Sequence, residues 1–347
     1  MKFNYLLLCA CLVYFFTACN KPPFDLNAPY QDVTVVYGVL SYQDSIHYVK
    51  IYRGFQSHEQ GGVSIHAQNP DSIYYYDQIN VVLKEYQDNR WTSRDIPLQI
   101  TKDFPRDAGF FYYGEERIIY YTTESLSKDM EYKIVITHRF TEKITDARTP
   151  MVHAPEITST HTFDMTKSEG NVAFKGVKDA GSYEIHVNFV YFEVDKKTNQ
   201  VVKIGKVVRN VTPRIGEQFE LDAAGDIRKK FTQIFYEDIA AQVKENPNVI
   251  RYMGRPGNNG SCIEIDVWAA GESMVDFLLS NQPTNSFVQI NTIYTNMEAS
   301  KGLAFGFLSS RAKSTKNFAV TDASETELIR GSKTKDLGFR PWTEYRP

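Results

Sequence analysis

The chain is predicted to be mainly β: two antiparallel β-sandwich domains of the immunoglobulin or fibronectin III kind, the second with inserted α-helices. Three observations predict this. Short segments of alternating polarity follow one another with polar or glycine-bearing turns between them, a sandwich pattern. Aromatics are frequent, with 22 Tyr and 22 Phe among 347 residues, and both types favour strands. A helical period is marked in only one stretch, which begins after Gly225.

In the first region, residues 33–150, seven strands are expected at 33–40, 46–55, 78–87, 91–101, 118–125, 131–140 and 143–150. Tyr48, Lys50 and Tyr52 alternate with Val49, Ile51 and Arg53. Residues i, i+2 and i+4 of a strand share a face, so one set points inward. Tyr132, Ile134 and Ile136 alternate with Lys133, Val135 and Thr137, apolar enough on both faces for a central strand. Leu126 stands six residues before Tyr132. This is similar to the tyrosine corner of fibronectin III and immunoglobulin-like domains, where the phenol hydroxyl bonds back to the backbone before its strand.

Residues 149–159 carry two prolines and read as the connection to a second domain, 151–311. Strands are expected at 160–165, 171–177, 182–194, 201–211 and 261–270. Asp226 is a good N-cap, and Ile227, Phe231, Ile234, Phe235, Ile239 and Val243 fall on one helical face, which predicts a helix over 226–245. A shorter helix is expected at 272–279. Residues 312–347 read as a polar extension with a short helix at 324–330.

The first 32 residues give an address. Lys2 precedes the apolar run 5–16 (YLLLCACLVYFF). Such a run suits a secretory signal and is too short for a bilayer span of about 20 residues. It ends in Phe16-Thr17-Ala18-Cys19, which resembles a lipobox, with Phe16 in place of the usual aliphatic residue. The resemblance implies a signal peptide over 1–18, cleavage between Ala18 and Cys19, and acyl chains on Cys19; an ordinary secretory signal is the alternative. Two or more chains hold a membrane firmly where one does not. Residues 20–32 (NKPPFDLNAPYQD) carry three prolines and read as a tether that reaches at most ~40 Å.

Cysteine use agrees. Cys9 and Cys11 leave with the signal, Cys19 takes the lipid, and Cys262 remains, so no intramolecular disulfide is expected. Cys262 reads as a half-buried strand residue. Without Lys2 the mature chain has 38 basic and 42 acidic residues and no basic run, so nucleic acid is an improbable partner.

Catalytic signatures are absent: no HExxH, GxSxG, Walker loop or GxGxxG follows from the sequence. His47, His66 and His138 have no second histidine at ligand spacing, so no metal or cofactor is expected. Glu264, Asp266 and Trp268 share one strand face, with the carboxylates about 6–7 Å apart, a separation that could serve glycoside hydrolysis. The simpler reading puts Ile263, Ile265 and Val267 in the core and the acidic face in water. Tyr74-Tyr75-Tyr76 and Phe110-Phe111-Tyr112-Tyr113 are candidate contact surfaces, or strand residues with one face inside.

Two stretches resemble uncharacterised outer-membrane lipoproteins of Bacteroidota: residues 36–51 (VYGVLSYQDSIHYVKI), and Tyr294-Thr295-Asn296 with residues 302–311 (GLAFGFLSSR). The family pattern ends in Phe-Ser-Ser-Arg, and here Leu308 intervenes after Phe307. The resemblance implies attachment to the outer membrane and companionship with a TonB-dependent transport system, and it brings no catalytic residues. The expectation is therefore a lipid-anchored, non-enzymatic binding or accessory protein with a glycan, a peptide or a transporter as ligand. A surface glycoside hydrolase and an adhesin or structural subunit are the alternatives. Asn20, Lys21 and Asp25 leave open which face of the outer membrane carries it.

Overall fold

The structure is a computed structural model that describes residues 33–54, 67–102, 118–159, 162–212, 219–221, 223, 225–233, 235–258, 260–281 and 294–346. Ala18, Cys19, the tether, His66 and the Phe110–Tyr113 cluster lie outside the described residues. Among the described residues, strands make up 51% and helices 16%. The fold is a pair of β-sandwich lobes, the second with helices.

The first lobe is closed by a strand from the far end of the chain. Strand β1 (Val33–Leu40) pairs antiparallel with β2 (His47–Arg53) and parallel with the first half of β18 (Leu303–Val320). Beyond β2 the sheet continues through β6 (Ile119–Thr122) to β5 (Gln99–Thr101). The facing sheet has the order β17 (Glu298–Ala299), β8 (Ile144–Pro150), β7 (Glu131–His138), β3 (Ile79–Gln87), β4 (Arg90–Pro97). Val36, Val49, Ile51 and Leu308 from one sheet meet Val81, Leu83, Ile134 and Ile136 from the other, all buried. Each such side chain contributes roughly 1.5–3 kcal/mol by leaving water. Gly306, at φ +95°, is required where β1 and β18 meet: a Cβ there would lie 1.9 Å from the Val36 carbonyl oxygen.

The tyrosine corner is present. The Ser127 N–H donates to the Tyr132 hydroxyl at 2.8 Å, and that hydroxyl donates to Glu85 Oε2 at 2.9 Å. A second corner opens the second lobe, where the Val177 N–H donates to the Tyr183 hydroxyl at 2.8 Å.

In the second lobe β11 (Ala180–Asp195) pairs with β12 (Val201–Asn210) along one edge, and with β16 (Ile263–Gly271) and β15 (Val249–Met253) along the other. The second half of β18 pairs with β16, and β19 (Phe339–Arg340) pairs with β15. A three-stranded sheet of β10 (Glu169–Phe174), β14 (Ile227–Thr232) and β13 (Glu220–Leu221) covers one face. Helices α2 (Phe235–Gln242) and α4 (Asp322–Arg330) cover the same core, to which they give Phe235, Ile239 and Leu328. Helix α3 (Glu272–Ser280) turns back over the first lobe, where Phe277 lies 4.7 Å from Phe307 and 5.6 Å from Tyr37 between ring centres.

Three expectations are corrected here. The helix expected over 226–245 begins only at Phe235; Ile227–Thr232 is strand β14, paired with Glu169–Phe174. Ile227 and Phe231 are four apart, a spacing that puts them on one face under either period, and the waiting partner strand decides. The stretch from 312 is no polar extension: β18 runs unbroken to Val320, so a boundary at 311 falls inside a strand shared by both lobes. Tyr74 and Tyr75 are core residues rather than a contact surface. Tyr75 is 1% exposed and donates to the Val33 carbonyl, and Tyr76 is half-buried against the same core.

Candidate functional site: a charged face on the second lobe

The sheet of the second lobe has one face in the core and one turned outward. Ile185, Val187, Phe189, Ile263, Ile265 and Val267 point inward. Alternation then puts Asn188, Glu264, Asp266 and Trp268 on the other face, and the register sets them side by side: Glu264 opposite Asn188, Asp266 opposite His186 and Thr315, Trp268 opposite Lys313.

The expectation that this acidic face meets water is overturned. Glu264 is 8% exposed and Asp266 3%. Both are covered by cations delivered by other strands and loops. Lys206 of β12 bonds to both carboxylates. The Arg255 guanidinium reaches Glu264 Oε2 at 3.2 Å, and Lys313 reaches Asp266 Oδ1 at 2.9 Å. Thr315 donates to Asp266 Oδ1 at 2.6 Å, and Asn188 Nδ2 to Asp266 Oδ2 at 3.1 Å. Asn188 is fully buried, and its Oδ1 has no hydrogen-bond partner among the described residues. Two carboxylates therefore meet three cations, one positive charge in surplus. Arg311 and Lys313 also stand over the Trp268 ring, at 5.2 and 4.9 Å from its centre.

This electrostatics opposes acid catalysis. Burial alone would raise the Asp266 carboxyl; hydrogen bonds from Thr315 and Lys313, with the charges of Lys206 and Lys313, outweigh it and hold the group below its ordinary value. Burial would lower the Lys206 ammonium, but its bond to Glu264 and the charges of Asp266 and Glu264 raise it. A glycosidase needs one carboxylic acid whose pKa is raised to give a proton to the leaving group. Asp266 is shifted the other way, and every oxygen of the pair is already engaged.

Cys262 is completely buried rather than half-buried, and burial pushes its thiol well above the ordinary value. Among the described residues no group of three His, Cys, Asp or Glu side chains could hold a metal ion. A hollow of about 290 Å³ lies in the first lobe between Arg94, Gln99, Tyr121 and Glu124. Arg94 is committed there to Glu85, Glu124 and the Ser125 carbonyl.

Glu264, Asp266 and Trp268 were legible as one strand face. Lys206, Arg255 and Lys313 were not, because they come from separate segments 9 to 60 residues away, and only the strand order brings them together.

No family model matches the chain. No curated protein matches it either. Among solved structures it is similar to the chicken CNTN1 FN1–FN3 domains, at 11% identity over 82% of this chain and 65% of that one, with a TM-score of 0.23. It is also similar to the C-terminal globular domain of an oligosaccharyltransferase from Pyrococcus abyssi, at 10% identity over 82% and 47%, with a TM-score of 0.22. The matches thus span less than two thirds of either of those chains.

Proposed function

We propose that the protein is a lipid-anchored, non-enzymatic binding module of the outer membrane that presents the Trp268 face of its second lobe to a partner. The observation that carries this is the neutralised carboxylate pair. Glu264 and Asp266 hold Lys206, Arg255 and Lys313 in place instead of standing ready for a proton transfer. What remains outward is cationic and aromatic, a surface suited to an acidic or glycan-bearing partner. The anchor on Cys19 and the place beside a TonB-dependent transporter belong to the same reading, and are supported by the Phe16–Cys19 motif and by the resemblance of residues 36–51 and 302–311.

The test is recovery of partners with the intact lipoprotein from solubilised outer membranes. The expected result is a partner retained by the native chain and lost from an Arg255→Ser/Lys313→Ser double variant that keeps its far-UV spectrum. Recovery of no partner, with turnover of glycosides by the purified protein, would overturn the reading. Labelled fatty acid on the native chain but not on Cys19→Ser tests the anchor separately.

A further inference from the structure

The strand directions place several exposed apolar side chains at the end of the first lobe where the chain arrives from its N-terminal segment. Strand β7 runs toward this end and turns back at 138–143 into β8. Strand β17 runs beside β8 to the same end, where the Ser300 N–H donates to the Ile144 carbonyl. The chain then turns through Gly302 into β18, whose first residue Leu303 lies opposite Val33, the first residue of β1. Five strand ends thus meet at one rim.

That rim is apolar at its tip. Phe140 is 82% exposed, the most exposed large apolar side chain among the described residues, and Leu303 and Ile144 are 42% and 40% exposed. Exposed Arg139 and Lys301 flank them, with Glu142 as the nearby acid. An aromatic ring with adjacent cations suits the boundary between headgroups and acyl chains. Beneath the rim, Lys143 is buried and donates to the Leu303 carbonyl at 3.3 Å, which ties the hairpin to the start of β18.

We infer that this end of the first lobe, with Phe140 at its tip, rests in the interface of the membrane that holds the lipid. The inference rests on the reading of Cys19 as the anchor. It follows from where the chain enters: only 13 residues separate Cys19 from Val33, and thirteen residues reach at most ~40 Å in any conformation. The Phe140 end is thereby held near the bilayer. The Trp268 face lies away from that rim, since Trp268 of β16 pairs with Lys313, ten residues along β18 from Leu303, a contour of about 33 Å. The tip thus sets an orientation, lipid end down and charged face out.

The experiment uses the full lipidated chain, with Phe140→Cys labelled by a polarity-sensitive fluorophore, in vesicles of phosphatidylethanolamine and phosphatidylglycerol. Cys262 is buried and does not compete for the label. The same label at Arg90→Cys, the exposed first residue of β4 at the opposite end of the lobe, is the reference. Expected are a blue-shifted emission at position 140 and quenching by spin-labelled lipid about threefold greater than at position 90. Equal quenching at the two positions, from protein that floats with the vesicles, would overturn the inference and leave the anchor standing. Protein that does not float removes both. A blue shift at position 140 that follows protein concentration in the absence of lipid would assign the tip to a protein contact and overturn the inference too.

Discussion

The two lobes bury carboxylates in different ways. In the first, Glu85 is 7% exposed and accepts from Thr92, Arg94 and Tyr132. One cation, Arg94, meets Glu85 and the more exposed Glu124, and the set is closed by the tyrosine corner that joins strand β7 to the loop before it. In the second, Glu264 and Asp266 share three cations, and the surplus charge sits beside Trp268 on an outward face. A closed network serves the fold. Under the proposed function, the unspent cation of the second network is what a partner would meet. The difference comes from strand supply: the first lobe recruits Arg94 from the adjacent hairpin strand, whereas the second draws Lys206, Arg255 and Lys313 from three segments that converge only when the sheet is complete.

The largest effect is expected at Arg251, where the second lobe also holds a closed pair of one cation and one carboxylate. Its guanidinium bonds to Glu193, to the Leu337 carbonyl and to the Lys244 carbonyl, and its side chain is 3% exposed. Arg251→Met should leave Glu193 buried and unpaired and cost about 3–5 kcal/mol, visible as a large fall in the urea midpoint. Next comes Asp266→Asn, which keeps the shape but removes the charge beneath Lys206 and Lys313. A loss of about 1.5–3 kcal/mol is expected, together with altered partner recovery. Tyr132→Phe in the first lobe should cost about 1–2 kcal/mol through the lost bonds to Ser127 and Glu85, with no change in partner recovery. If Tyr132→Phe impaired recovery as much as Asp266→Asn, the division of labour between the lobes would be wrong.

Acid should strip both networks. Burial would raise the Glu85 carboxyl, but hydrogen bonds from Tyr132, Thr92 and Arg94 and the Arg94 charge hold it below its ordinary value, as the bonds to Asp266 do there. A carboxyl whose folded pKa is depressed contributes stability above its unfolded pKa of about 4, and that contribution is lost as pH falls through the folded value. Thermal unfolding followed from about pH 5 down to pH 2 should show both losses, and Asp266→Asn should show the shallower slope. The smallest effect is expected at the surface: Phe140→Ser should change stability by less than about 0.5 kcal/mol, since the ring is exposed.

The tyrosine corner shows what local spacing can carry. Leu126 and Tyr132 lie in one short segment, the hydroxyl reaches its own loop, and no distant partner is needed. The strand alternation around Tyr48–Tyr52 and Tyr132–Thr137 was legible for the same reason. The segment from Asp226 shows the limit. Ile227 and Phe231 satisfy two periods at once, and the β10 partner that selects the strand lies more than 50 residues back. Tyr74 and Tyr75 could not be told from surface aromatics until Val33 and Thr34 of β1, Tyr52 of β2 and His138 of β7 packed against them.

By itself, then, the sequence determined the β class, the first strand hairpins, the tyrosine corner, the short helices at 272 and 324, and the pairing of Glu264 with Asp266 on one strand face. All of these depend on residues a few positions apart, where the geometry of helix and strand is fixed. The tertiary structure alone decided that β18 serves both lobes, that Phe140 shares an end with Val33, and that three cations cover the carboxylates. Those facts depend on strand order and register, which are set by burial of the whole core rather than by any local pattern.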